Sequence, residues 1–464
     1  MEITLPISPQ PSRWLPLLLA IAIFMQMLDA TILNTALPNI AADLDESPLD
    51  MHSAVVVYTL TVALLIPLSG YLADRFGTRN VFVGSMAVFI AGSLLCAAAQ
   101  NLPMLVVARM VQGVGGSMLA PVPRLTIIRV YEKPQLLNAI NYAVMPALIG
   151  PIFGPPVGGY LVEYASWHWI FLLNVPIGLI GIAAALKIMP NVKGVRVPFD
   201  TAGFLMFASA ACALIMAVEV ISHPQAVPFA AGLAVAGAAA LWLYARHARR
   251  TETPLYAGDL FQVRTFRLGL AGNLFSRLGI SSVPFLLPLL FQVAFGFGAG
   301  LSGGLVAAAA FASLLAKPLV RPIMAHYGYR GVLTANTRLL GILIMLVALP
   351  DVHTPLGVWV ALLLAMGLCN SIQFSAMNTL TLADLRPYQA GSGNSLMAVN
   401  QQLSMSFGIA LGALMLQGWT KSSFGAENLH TAFRLTFLGI GAVTFASGFI
   451  FARLHRSDGQ NLTE

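Results

Sequence analysis

Apolar runs of about twenty residues recur along this chain from Trp14 to Phe451, and each is long enough to cross a hydrocarbon core of roughly 30 Å as a helix. No other feature constrains the fold as strongly. In lipid every backbone polar group has to find its partner inside the protein, so repeated runs of this length dictate helices. Composition agrees: only 9% of residues are charged, where a soluble chain carries about 25%, so the charges do not coat a water-facing surface. The longest hydrophilic connection, 246–267, falls far below the about 100 residues of a usual soluble domain. That argues against a separate catalytic module, and no enzyme activity is expected. Cys96, Cys212 and Cys369 lie inside apolar runs at wide spacing, which fits packing residues and neither a disulfide framework nor a metal site.

The predicted helices span 14–38, 52–73, 81–100, 103–123, 136–161, 168–189, 201–221, 226–246, 268–292, 298–320, 332–350, 356–379, 391–416 and 431–452. The first is read as retained, since no small-residue cleavage pattern precedes it. Fourteen crossings place both termini on one side. The bases test this: most of the 25 Lys and Arg residues, among them Arg75, Arg79, Arg129, Arg249, Lys317 and Arg456, fall at the termini and even-numbered connections. By the positive-inside rule that side is cytoplasmic. Losing one span would reverse every later connection, so twelve or fourteen crossings are allowed and thirteen is not. The net charge of +7 is read as this topological bias, with the lipid bilayer and not nucleic acid as the partner. The expected division is an N-terminal six-helix half over 1–189, two inserted helices with a basic cytoplasmic loop over 190–267, and a C-terminal six-helix half over 268–464.

The connection after the second run reads Gly70-Tyr-Leu-Ala-Asp74-Arg75-Phe-Gly77-Thr-Arg79, which resembles the loop motif of the major facilitator superfamily. Arg321-Pro-Ile-Met-Ala-His-Tyr-Gly328-Tyr-Arg330 looks like its degenerate copy in the other half, with Ala325 where the acid would stand; such internal repetition is a habit of two-half transporters. Further segments are similar to the fourteen-helix drug:proton antiporter family. These are Leu28-Asp29-Ala-Thr31-Ile-Leu-Asn34, Arg109-Met-Val-Gln112-Gly113, Gly150-Pro151-Ile-Phe-Gly154-Pro155-Pro-Val-Gly158-Gly159 and Trp167-His-Trp169-Ile-Phe-Leu-Leu-Asn174. His168 stands where that family often has arginine. The resemblance implies an all-α polytopic protein of two six-helix halves plus two extra central helices, in the bacterial inner membrane.

Asp29 is the most informative residue, because a carboxylate deep in lipid costs roughly 2.5 to 3.5 kcal/mol and by default marks an ion path. At 1.5 Å per residue it lies ~22 Å from the cytoplasmic end, and Arg109 ~9 Å from the outer edge of a ~30 Å core, so the two share a depth. Asp29 either takes up and releases a proton with Arg109 tuning it, or forms a static ion pair joining two helices. Gly150, Gly154 and Gly158 line one helix face and admit a close neighbour, while Pro151 and Pro155 invite a bend. With Gly159 they are either the antiporter hinge that the resemblance implies or plain tight packing. Gly70, Asp74, Arg75, Gly77 and Arg79 match the family's conformational latch, with Asp74 expected at the Gly391-Ser-Gly-Asn start of the thirteenth helix, where a helix N-terminus suits a carboxylate. Arg277 falls near mid-membrane with no intramembrane acid in its own half; it reaches Asp29, an anionic part of a substrate, or backbone carbonyls. Gln26, Asn34, Asn273, Asn370, Gln373, Asn400 and Gln401 are candidates for a polar cavity shared with Arg277, some of them for ordinary interhelical hydrogen bonds.

The leading expectation is a proton-coupled secondary antiporter that exports small amphipathic toxic compounds by alternating access. The alternative is export of a specific metabolite or organic anion, motivated by Arg277. G-x-x-x-x-G-K-[ST] does not occur, so ATP is not the direct energy source. No cofactor is expected, only a proton gradient; the partners are protons and a small-molecule substrate, and the working unit is a monomer.

Overall fold

In the computed structural model, residues 14–131, 133–194, 198–221, 226–386, 388–422, 428–459 and 462 are described. Of α7 below, the side chains at 133–134, 136–138 and 140–148 are outside the description. Each expected run is helical, and the described residues form no strand. The N-terminal half contains α1 (Leu15–Asp43), α2 (His52–Leu65), α3 (Leu68–Phe76), α4 (Thr78–Ala97), α5 (Leu102–Leu119), α6 (Pro121–Val130), α7 (Lys133–Tyr164), α8 (His168–Leu172) and α9 (Asn174–Ile188). The inserted pair is α10 (Thr201–Val220) and α11 (Val227–Ala248). The C-terminal half contains α12 (Arg264–Ile280), α13 (Val283–Leu289), α14 (Ala299–Leu315), α15 (Lys317–Leu346), α16 (Leu356–Leu382), α17 (Ala390–Thr420) and α18 (Leu429–Phe451).

The internal repeat read from the loop motif is visible as geometry. In one half α2 and α3 meet at a bend of 57°; in the other α14 and α15 meet at 56°. The glycine that follows each bent segment has a positive φ, +92° at Gly77 and +68° at Gly328, a region that glycine enters without the Cβ clash other residues suffer. The expected connection between the tenth and eleventh runs is therefore not a loop: Lys317–Leu346 is helix on both sides of a kink at Gly328.

α10 and α11 pack on each other, and α10 also lies against α2 and α17. His52 Nε2 on α2 meets Glu219 Oε1 on α10 at 2.9 Å. At the other end of the pair, Asp200 caps α10 through the Gly203 N–H and accepts from the Leu255 N–H, with His247 Nε2 at 2.8 Å. Burial alone would raise the Asp200 carboxyl, but these donors hold it below the usual carboxylate range. In α11 only Ala230, Gly237 and Tyr244 are buried, as expected of a helix whose outer faces meet lipid.

Among the described residues, ten helices are long and apolar enough to cross a membrane, or up to twelve with each bent pair taken as one span. The bent pair from Ala299 to Leu346 is more than twice the about 20 residues one crossing needs. A direct count of the inserted pair comes from single cysteines in a background without the three native ones. Ile221→Cys, at the end of α10, is expected to react with an impermeant maleimide from outside, and Glu252→Cys only after permeabilisation. Labelling of both from one side would remove the inserted pair from the list of crossings.

Candidate functional site

Asp29 is 1% exposed and Arg109 likewise 1%, so both charges are withdrawn from bulk solvent. Arg109 Nη1 donates to Asp29 Oδ2 at 2.8 Å. The other carboxylate oxygen accepts from Gln112 Nε2 at 2.8 Å and Asn174 Nδ2 at 2.9 Å. Ser93 Oγ accepts from the same two amides, at 2.9 and 3.3 Å. Gln112 Oε1 in turn accepts from Arg109 Nη1 at 2.5 Å, while Arg109 Nε donates to the Ala54 carbonyl at 3.3 Å and its guanidinium lies 4.1 Å from the Tyr58 ring centroid. Three helices, α1, α5 and α9, thus meet at one carboxylate, and α2 and α4 join them through Ala54, Tyr58 and Ser93. Every contact to Asp29 is a donor, the set that suits the charged form of a group acting only as an acceptor when ionised. Such a pair is strongly bonded yet costly to break, because either member alone would be a bare buried charge.

The structure brings Asp29 and Arg109 together and adds Gln112, Asn174 and Ser93, to which the sequence reading gave no role. Gln112 had a usable signal: it stands three residues after Arg109 and so shares its helix face. Asn174 had only its place in a motif, and Ser93 had none.

α7 lies between the halves. A Cβ on Gly154 would sit 2.1 Å from Thr31 Oγ1, and one on Gly158 2.6 Å from the Ile32 carbonyl; Gly150 faces Met27 and Leu28 at 3.0 Å. That glycine face therefore packs on α1. Gly159 turns to the other half, where a Cβ would fall 2.2 Å from the Ala299 carbonyl, and Gly303 of α14 reciprocates with 2.1 Å to the Pro155 carbonyl. Further contacts close the seam between halves: Gln292 Nε2 donates to the Thr35 carbonyl at 2.8 Å, and Thr59 Oγ1 meets Ser406 Oγ at 2.7 Å.

Between the halves is a cavity of about 340 Å³, lined on one side by Thr31, Asn34, Thr35, Pro151 and Pro155 and on the other by residues of α12–α16, including Lys317, Asn370, Ser371 and Phe374. Its volume is in the range of small-molecule sites. Of the expected cavity residues, Asn34 and Asn370 line it. Arg277 stacks on the lining ring of Phe374, 5.1 Å from its centroid, and donates through Nε to Asn273 Oδ1 at 2.6 Å. The other polar residues are placed differently. Gln373 is buried against α15, donating to Thr337 and accepting from Asn336; Asn400 donates to the Leu270 carbonyl and Gln401 to Asn378. Gln26 is buried on α1 away from that lining. Lys317, counted above as a topological base, reaches instead to Ser375 Oγ at 3.3 Å and lies 5.8 Å from the Phe374 centroid.

The latch residues need one correction. Asp74 does not meet the start of the thirteenth helix; its carboxylate pairs with the Arg129 guanidinium of α6, a full charge where a helix N-terminus offers about half. What crosses to α17 is Arg124, whose Nη1 donates to Asn394 Oδ1 at 3.2 Å. Arg75 donates to the Tyr71 hydroxyl, and the backbone N–H of Arg79 to Asn191 Oδ1. Gly77 lies against Asn191, where a Cβ would come within 2.1 Å of its Oδ1, whereas a Cβ on Gly70 would meet open space.

Comparison with known proteins agrees with this architecture. Residues 19–409 match the family described as Major Facilitator Superfamily. The chain is 42% identical over 461 residues to the "Putative multidrug resistance protein MdtD" of Escherichia fergusonii, covering 98% of this chain and 97% of the relative. It is also 42% identical over 452 residues to the protein of the same name from Cronobacter sakazakii, covering 96% and 95%. Among solved structures, an auto-inhibited POT family peptide transporter superposes with a TM-score of 0.68 at 14% identity, over 95% of this chain and 98% of that one, a likeness of fold alone. With a family match over most of its length, relatives that align end to end, a bent-helix repeat in each half and a cavity between the halves, this multi-pass membrane protein is a transporter, not an enzyme, and belongs to the Major Facilitator Superfamily.

Proposed function

We propose that the chain is a proton-coupled secondary antiporter of the bacterial inner membrane that exports small amphipathic compounds by alternating access through fourteen crossings. The observation that carries the reading is the wholly buried Asp29 carboxylate, held by Arg109, Gln112 and Asn174. A carboxylate this deep is a default functional site, and this one is bonded to two other helices, α5 through Arg109 and Gln112 and α9 through Asn174. Protonation removes the attraction to Arg109, whose guanidinium then keeps Gln112 Oε1, the Ala54 carbonyl and the Tyr58 ring. The link between α1 and α5 loosens, and since α1 also carries the glycine face of α7, the change is passed toward the seam between halves. Deprotonation toward the cytoplasm restores the pair and resets the cycle. The printed names of the relatives, which concern multidrug resistance, support the choice of an amphipathic cargo.

The test uses inside-out vesicles holding a proton gradient, to which cationic, neutral and anionic amphiphiles are added while the gradient is recorded. The wild type is expected to collapse the gradient with one class, and Asp29→Asn to lower that response at least about tenfold. An Asp29→Asn protein that still exchanges protons would end the assignment of Asp29 as the coupling group. Silence of the wild type toward all three classes would end the exporter reading for amphiphiles.

A further inference from the structure

We infer that the cavity between the halves receives an amphipathic organic anion, its carboxylate or sulfonate between Arg277 and Lys317 beside Phe374 and its apolar body against the walls formed by Ile280, Val306 and Ile344. Both cations lie within 6 Å of the same ring centroid, at 5.1 and 5.8 Å. Neither is in any ion pair among the described residues. Arg277 spends only its Nε, on Asn273, so the two terminal amines, the fork that suits a carboxylate, donate to no described residue. Lys317 makes one bond, to Ser375, out of three it can donate. Among the described residues no aspartate or glutamate lines the cavity, and Asp29 is bonded instead to its own donors.

A second and independent observation points the same way. Asn34 Oδ1, Thr35 Oγ1 and Ser371 Oγ are buried without a hydrogen-bond partner, and all three residues line this cavity. Their exposures are 8%, 0% and 4%, so they are not satisfied by bulk solvent. Buried polar groups are as a rule hydrogen-bonded, so these three are free to bond an occupant of the space they line. The Ser371 hydroxyl, one helical turn before Phe374, can donate to the oxygens of an anionic head, as the two cations do, while Asn34 and Thr35, at the Gln292 end of the cavity, meet polar groups on the cargo body.

The inference rests on the transporter reading for the cavity being the cargo site, and it is tested without the proton gradient. The full chain in de-energised lipid nanodiscs is titrated with 2-naphthoate, 2-naphthylmethanol and 2-naphthylmethylammonium, three probes with one aromatic body and different charge. Naphthoate is expected to bind at least about tenfold more tightly than the ammonium probe, a difference of about 1.4 kcal/mol. Arg277→Gln and Lys317→Gln should each weaken naphthoate at least about tenfold while leaving the neutral alcohol within about twofold, and the unchanged alcohol shows that the variants are folded. Arg277→Lys should keep part of the preference. Equal or tighter binding of the ammonium probe, or an affinity for naphthoate indifferent to both glutamine variants, would overturn the anion site. Because no gradient is present, charge preference is read without any proton transfer, so a failure of proton coupling in the vesicle assay is read separately from a failure of charge recognition.

Discussion

Exchanging Arg109 for glutamine is expected to destabilise the folded protein by about 3–5 kcal/mol, whereas the double exchange Asp29→Asn with Arg109→Gln should recover most of that loss and still fail to couple export to protons. The asymmetry follows from burial. Arg109 Nη1 is 2.8 Å from Asp29 Oδ2, with both side chains at most 1% exposed. Removing one member of such a pair leaves a desolvated charge and costs about 3–5 kcal/mol, while replacing both by neutral groups is often close to neutral. The amides of Gln112 and Asn174, which now serve the carboxylate, would still find a carbonyl oxygen on an asparagine at position 29. Stability is read from chemical or thermal unfolding in detergent, and coupling from the proton-gradient assay. The comparison separates the two roles of the pair. If it merely fastens α1 to α5, the double variant exports with wild-type proton dependence; if Asp29 carries the proton, the double variant folds and the gradient no longer drives export. A single Arg109→Gln variant as stable as the wild type would show that the carboxylate is not held charged by that guanidinium.

Those two residues were legible because depth in a membrane is a one-dimensional quantity that the sequence records. Counting residues from each helix end put Asp29 and Arg109 at one level, and the fold then had only to turn them toward each other. Direction around the helix was less legible. In a soluble helix an apolar stripe marks the buried face, but here lipid and neighbouring helices are both apolar, so Gln373 carried no sign that it faces Asn336 and Thr337 and not the cavity. The same degeneracy hid Lys317. A base at the end of an expected helix satisfies the positive-inside census whether its side chain meets cytoplasm or turns back into the cavity.

The Asp74 reading went astray for another reason. A motif identifies the charged residue but not which of several nearby groups takes it up, and Arg129 and Arg124 are five residues apart. Arg129 pairs with Asp74, and Arg124 is the one that reaches α17 at Asn394. The repeat, in contrast, was legible even where chemistry had been lost. Ala325 has none of the pairing capacity of Asp74, yet Gly328 keeps the positive φ of Gly77, because the turn out of the bent helix needs a residue without a Cβ whether or not an acid precedes it.

Adding one methyl group at Gly303 is expected to reduce export at least about tenfold, while the same change at the adjacent Gly304 should leave it within about twofold. A Cβ on Gly303 would lie 2.1 Å from the Pro155 carbonyl oxygen and 2.7 Å from its carbon, whereas one on Gly304 would meet nothing within 4 Å. The atoms in the way are backbone of α7, so no side-chain rotation relieves the clash, and the helices have to separate. Helical preference works in the opposite direction, since alanine is favoured over glycine in a helix interior by roughly 0.5–1 kcal/mol; a loss at Gly303 is therefore steric. The separated helices belong to different halves, and the seam they form at this end also holds Gln292 against the Thr35 carbonyl. The Gly303→Ala protein should accordingly favour the state open at this end, and a cysteine at Ser302, a residue fully buried in the closed seam, should react faster with an impermeant maleimide than in the Gly303 parent. Gly159→Ala, wedging the opposite helix against the Ala299 carbonyl at 2.2 Å, should reproduce both effects. If Gly303→Ala instead transports like Gly304→Ala with the Ser302→Cys site still shielded, closure of the α7–α14 seam is not a step of the cycle, and the glycines of α7 serve only to pack it against α1.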